Sequence, residues 1–598
     1  MENKKQAIIL SGVAIVALLA LIIGATYAYF RASGNSGSNT DINVTTYTLD
    51  LLSFEMGSDI KINADQTSFA SGKGNATGST FAKAILTANN KTNTATKNYY
   101  MYLNISNNTF TYTQNENTPE LLLTITDVSG NAITSITGLT YKTVIDGKGT
   151  SVSGFDITTK SGLLTLFDNR EITASPTKTE EWNVTVTFVN YNVNQTGNAG
   201  KSFNAKLMIQ QEEYELTLAD ICAGKTLSDC VISQYTGTQG DNALYYHNST
   251  LTNGAGDNSY RYAGGDYVLT EAGKATGATM MIGYNNSVTT ALIDFYCNGT
   301  KQYVGYASSC STSHYYLIKG DTTQYQTYNE ALNASVEKGY LTKDNVKNFV
   351  CFGSDATTCP TENLYRIIGV FNNHVKLIKY DYAKSSLLGT DGDFSQEYTS
   401  NYFSGEQGES PSSNSLYYWN NAGTNTWSAS KLNTVNLNTN FTTNIGTAWA
   451  NKIATTTWKV GGGTYANLRD AVPKTAYQYE VGSSASTTTY DAKIGLMYVS
   501  DYYYSASPSA WTLVGYNSDY TKSYASAKGE NWLYGGGWDW TVSRNSVNSS
   551  YAFFVDLNGY VYNSNVYGNF GVRPSFSLLS STTYVSGSGS MSDPVRIN

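Results

Sequence analysis

Apolar residues follow three rhythms along the chain. The first is a nearly continuous apolar run from Ala7 to Phe30, interrupted by small residues and Thr26. Wound as a helix at about 1.5 Å per residue, it reaches roughly 36 Å, enough to cross a hydrocarbon core about 30 Å thick. Lys4 and Lys5 precede it and only Arg31 comes closely after it, a bias that keeps the N-terminus inside and exports the downstream chain. A transmembrane anchor and a cleaved signal peptide both fit: Thr26-Tyr27-Ala28 offers a small-x-small cleavage site, while the run is long for a signal. Either way residues 31–598 are expected outside the cytoplasm, at the cell membrane or secreted to the extracellular matrix.

From residue 31 to 211 the rhythm becomes alternation. In YYMYLNIS, Met101, Leu103 and Ile105 share one face; in EWNVTVTFVN, Trp182, Val184, Val186 and Phe188 do, with Asn and Thr opposite. SFNAKLMIQ repeats the pattern. Period-two alternation predicts half-buried strands. Turn residues at 129–132 (SGNA) and 146–149 (DGKG) separate the runs, as in an antiparallel sandwich.

After residue 211 the rhythm loosens. Leu216, Ile221 and Leu227 suggest a short helix, and YNEALNASVEKGYLTKDNVKNF (328–349) is the clearest helical stretch of 212–362, which reads as a disulfide-tied connector. Residues 363–598 read as an α+β head. Leu364–Val370 and Val375–Tyr380 flank Asn372-Asn373, a hairpin signal. TWSASKLNTVNLNTNF predicts a short helix with Ser428 near its cap, WANKIATTTW a second, and KIGLMYVSDYYY a strand leaving into a Tyr-rich loop. A second hairpin has Asn558-Gly559 at its tip, and FGVRPSFSLL closes the set.

IIGATYAYF, with a strand containing TYTLDL directly after it, resembles the TasA/camelysin family over about residues 20–210. That resemblance implies an exported, jelly-roll-like β-sandwich of the kind found in biofilm-matrix fibres, able to form a homo-polymer by strand exchange or to serve as a stalk. The metalloprotease activity attributed to camelysin is not carried over, because no HExxH occurs here. NLYRIIGVF, KIGLMYVSDY, AFFVDLNGYVY, GVRP and GSGSMSDPVRI resemble a bacterial surface domain distantly similar to C-type-lectin-like folds. That architecture is shared with the formylglycine-generating enzyme family and with retroelement-diversified receptors. Its enzyme branch relies on cysteine chemistry, and residues 363–598 hold no cysteine, so the resemblance implies ligand binding.

Composition narrows the chemistry. Charged residues are only 14%, the net charge is −8 and no Lys/Arg stripe is visible, which argues against nucleic acid. Six cysteines, Cys222, Cys230, Cys297, Cys310, Cys351 and Cys359, suit an oxidising compartment. They allow fifteen connectivities; their three short local loops favour sequential pairing. With no CxxC and only His247, His314 and His374, neither a metal centre nor a cofactor is expected. His374, in a predicted turn, is expected at the surface.

Two acidic groupings could carry chemistry. Glu530 and Asp539 flank NWLYGGGWDW and could form the carboxylate pair of a glycoside hydrolase, although a hydrogen bond to Asp539 inside a glycine loop is the plainer expectation. Asp391, Asp393 and Glu397 could offer oxygen to Ca²⁺, but they lack EF-hand spacing and read as a solvated loop.

The stretch NSSYAFFVDLNGYVYNSNVYGNFGVRP interleaves rings with Asn, Ser and Gly, the composition of paratopes that recognise by amphipathic contact. The expected contact face is Trp538, Asp539, Trp540, Arg544, Asn545, Tyr551, Tyr562, Asn563, Asn565 and Tyr567. Phe553, Val555, Val561 and Phe570–Val572 are expected in the core, with Arg573 held by a buried carboxylate. The expectation is an exported, non-enzymatic cell-surface protein whose head binds an external protein or glycan; a matrix fibre is the alternative.

Overall fold

The computed structural model describes residues 50–64, 73–89, 93–214, 216–282, 289–302, 310, 313–343, 345–398 and 414–598. The apolar run at 7–30 lies outside the described residues, and no described helix is long and apolar enough to cross a membrane. The fold is mainly β. It divides into two compact units, the first drawn from residues up to Glu213 and the second made of Tyr214–Asn598 together with Asn104–Asn108 and Lys160–Leu164.

The first unit holds two sheets. In the six-stranded one, Thr177–Phe188 is central, pairing antiparallel with Ala76–Thr87 on one side and Leu121–Asp127 on the other. The alternation behaves as expected: Trp182, Val184, Val186 and Phe188 are buried while Asn183 is exposed. In the four-stranded sheet, Ala95–Asn108 buries Met101, Leu103 and Ile105. Side chains join the two faces. The Phe167 ring packs on Trp182 at 4.7 Å, Trp182 Nε1 donates to the Tyr99 hydroxyl, and that hydroxyl donates to Glu180, which also pairs with Arg170. Burying these rings in pairs with their polar ends satisfied is what makes the core between the two sheets.

The second unit is built on a seven-stranded sheet, and that sheet crosses the boundary expected at 362. Leu364–Phe371 pairs with His374–Lys379, but also with Tyr260–Tyr262 and Phe349–Cys351 from the stretch read as a connector. The cause is visible at Arg366. Its buried guanidinium forms a two-pronged pair with Asp266 (2.6 and 2.7 Å), donates to Asn348 and lies over the Phe349 and Trp532 rings. Tyr260–Tyr262 and Phe349–Cys351, with Asp266 and Asn348, supply the cover and counter-charge that strand 364–371 needs and belong to its core, whereas Met280–Ile282, Ala291–Cys297 and His314–Ile318 pair in a separate sheet over a smaller core of their own.

Both predicted hairpins form. Asn372 and Asn373 take φ of 48° and 63°, the left-handed turn that suits the twist of two strands. Tyr551–Val555 and Val561–Asn565 pair across Gly559, at φ 84°. The cysteines pair sequentially: Cys222–Cys230, Cys297–Cys310 and Cys351–Cys359.

Other elements differ from expectation. The helix expected in WANKIATTTW shrinks to Thr447–Ala450, with a strand after it at Thr456–Lys459. The helix expected around 426–441 is a one-turn 3₁₀ segment, then a π-helix, wider than an α-helix, at Leu432–Phe441. The strand expected at 493–500 is only Ile494–Gly495. The Tyr-rich stretch after it is a buried helix, Val499–Tyr504, not a loop. Its tyrosines can be buried because Tyr502, Tyr503 and Tyr504 donate to the carbonyls of Gly559, Leu468 and Asn253.

Candidate functional site

The ten residues expected on one contact face divide by burial. Asp539, Trp540, Asn545 and Asn563 are buried, a correction to the expected face. Strand Asp539–Arg544 does not alternate, because both of its sides are covered. Trp540 packs on Phe570 at 4.4 Å and donates to the Tyr417 carbonyl. Asp539 pairs with Arg573 at 2.5–2.6 Å, the buried carboxylate expected for that arginine. Burial pushes its carboxyl up to about 6, against the pull of Arg573. Asn545 Oδ1 accepts the backbone N–H groups of Val547 and Asn548, a turn role. Asn563 opposes the core residue Phe553 in register.

The other six reach the surface. Trp538, Tyr562 and Tyr567 are 38%, 38% and 54% exposed, and Arg544, Tyr551 and Asn565 are half-buried. Arg544 is taken up structurally, donating to the carbonyls of Val460 and Gly461.

Tyr562 belongs to a ring cluster that sequence reasoning missed. Tyr516 lies 5.2 Å from Tyr562 and 5.3 Å from Tyr560, ring centroid to centroid. The Arg469 guanidinium sits 4.4 Å from the Tyr465 ring and 5.2 and 5.3 Å from those of Tyr516 and Tyr562. All five side chains are half-buried or exposed. The backbone holds the cluster together. Val561 N–H donates to the Gly515 carbonyl and Tyr516 N–H to that of Arg469. Gly515 must be glycine here, since a Cβ would stand 2.0 Å from the Tyr503 hydroxyl. Arg469 is also clamped by Asp470 through two hydrogen bonds of 2.8 and 3.1 Å. The outcome is a rigid amphipathic platform with a fixed cation among rings. The ring-and-amide stretch announced Tyr562, whereas Tyr465, Arg469 and Tyr516, distant in the chain, were not among the expected residues.

The same unit has a cleft of about 510 Å³. Two buried ion pairs line it, Arg261–Asp257 and Lys376–Asp501, both at 2.6 Å. Lys376 Nζ also sits 4.7 Å from the Tyr498 ring and 5.3 Å from that of Trp458. Its cations are neutralised from within the fold. His374, at the cleft edge, is half-buried with Nδ1 2.8 Å from the Leu578 carbonyl, not a free turn histidine.

The acidic groupings have structural employment. Glu530 is exposed, with Ser509 as its hydrogen-bond donor, and nothing among the described contacts joins it to Asp539. Asp393 is not in a solvated loop: it is buried and accepts the N–H of Leu432 at the start of the wide helix, and that of Asn421. Asp391 accepts from Asn440 and Glu397 from Ser415. Among the described residues no group of three or more His, Cys, Asp or Glu is placed to hold a metal.

No protein-family model matches this chain, and no match to a characterised protein is found.

Proposed function

We propose that this is an exported bacterial cell-surface protein, with a TasA-like sandwich as stalk and a lectin-like second unit that binds an external protein or glycan without transforming it. The observation that carries the reading is the platform of Tyr465, Tyr516, Tyr560 and Tyr562 around Arg469. Rigid rings with polar tips lose little entropy on binding, and they stack on sugar faces or protein side chains alike. The three disulfides support an oxidising compartment.

The test is binding of the exported chain to glycan arrays and to intact cells. Tyr516→Ala with Tyr562→Ala is expected to weaken binding by about tenfold or more, as for central aromatic anchors. If the double variant keeps its circular dichroism spectrum and binds like the parent, the reading is wrong.

A fibre-forming reading has its own support. Leu51 and Met56 are exposed on Leu51–Met56, an edge strand of the six-stranded sheet, where backbone groups are open to strand addition. Leu51→Lys with Met56→Lys is expected to abolish any filaments seen by electron microscopy of the parent chain.

A further inference from the structure

Four buried cations in the second unit come with carboxylates. Arg261, Arg366, Lys376 and Arg573 each have a carboxylate oxygen at 2.5–2.6 Å. Lys379 does not. It is 3% exposed, yet among the described residues no carboxylate lies within ion-pairing distance of its Nζ and no side-chain hydrogen bond reaches it. It ends strand His374–Lys379, register partner of Tyr365, and its Nζ stands 5.9 Å from that ring. Both residues line a pocket of about 450 Å³.

Three other charged side chains line the same pocket: Asp381, half-buried, and the exposed Glu362 and Lys384. Asp381 Oδ1 accepts the neighbouring Tyr382 N–H, but among the described residues Asp381 makes no ion pair. Four charges, two of each sign, therefore share one concavity without pairing with one another. A fold that merely tolerated them would let Lys379 and Asp381 meet, because an unpaired charge in a partly dry site is costly. Burial acts on both groups: it pulls the Lys379 ammonium down to about 8 and pushes the Asp381 carboxyl up.

We propose that this pocket binds a small aminocarboxylate, with the ligand's carboxylate on Lys379 and its ammonium on Asp381. A simple anion would satisfy Lys379 but stand against Asp381 and Glu362; a simple amine would do the reverse. A zwitterion of amino-acid size answers both, and Ile445 and Leu387 in the lining give an apolar wall for its side chain. This site does not involve the tyrosine platform, so either can fail alone.

The experiment uses the full chain with its disulfides intact. Glycine, L-alanine and L-phenylalanine are compared with acetate and methylamine by thermal melting. At about ten times its Kd, an aminocarboxylate is expected to raise the second unit's Tm by roughly 2 °C, with much smaller shifts from acetate or methylamine. Lys379→Met is expected to remove that response while melting no lower than the parent at pH 7. A second readout needs no variant: acetic anhydride labelling of Lys379, mapped by mass spectrometry, is expected to slow severalfold with the amino acid present, and labelling of exposed Lys474 to stay unchanged. An equal response to acetate alone, or labelling of Lys379 that no aminocarboxylate slows, overturns the proposal.

Discussion

Arg573 and Asp539 show what a buried charge does for this molecule. Each is at most 4% exposed in its side chain, and Arg573 also donates to the Leu533 carbonyl. Asp539→Asn leaves the guanidinium uncompensated, so urea unfolding is expected to show a loss of about 3–5 kcal/mol. A loss under about 1 kcal/mol would mean the pair is dispensable. Among the described residues Glu480 has no such cation. It is buried against the start of helix Val499–Tyr504, accepting the N–H groups of Val499 and Ser500 and the Ser543 hydroxyl. Burial raises its carboxyl from 4.5 to about 6. The folded state thus holds this proton more tightly than the unfolded chain. Its contribution to stability is complete below about pH 4.5 and disappears as pH rises through 6. A shift of that size amounts to roughly 2 kcal/mol. Glu480→Gln is expected to flatten the decline in unfolding free energy between about pH 4.5 and 7.5 by about that much; an unchanged slope would remove Glu480 as its source. The Arg573 partnership was legible from Arg573-Pro574 in a closing strand. The identity of the carboxylate was not, since the two stand 34 positions apart in the chain.

Elements whose pattern is local were legible. Asn372-Asn373 between two apolar runs announces a left-handed turn, and Asn373 takes φ 63°. Asn373→Ala is expected to cost roughly 1 kcal/mol by denaturant titration, whereas Asn373→Gly leaves stability near the parent value. Equal losses for the two would show that the Asn side chain, not the backbone angle, matters. KIGLMYVSDYYY misleads because a short run of Tyr and Val does not distinguish strand from helix. The decision came from distant carbonyls at Gly559, Leu468 and Asn253 that could accept the tyrosine hydroxyls. Asp539–Arg544 misleads for a related reason: alternation identifies faces only where one side of a sheet is open to water.

All six cysteines lie beyond residue 214, so only the second unit carries cross-links. In calorimetry of the full chain, dithiothreitol is expected to lower the melting temperature of the second unit and leave that of the first unmoved, as each local loop is worth roughly 2–3 kcal/mol. Movement of the first unit's transition, assigned by hydrogen exchange, would contradict this. The amino-acid order alone determined the alternating strands of the first unit, the two hairpins and a predominantly β chain, because each is a pattern within a few neighbouring residues; it favoured the sequential disulfides among fifteen connectivities, and the structure decided for them. Only the tertiary structure decided three things. Leu244–Tyr246, Tyr260–Tyr262 and Phe349–Cys351 complete the second unit's seven-stranded sheet, Trp540 and Asn563 face inward, and Tyr465, Arg469, Tyr516 and Tyr562 meet. Each depends on which distant group satisfies a buried charge, hydroxyl or ring, and spacing along a chain carries no record of that.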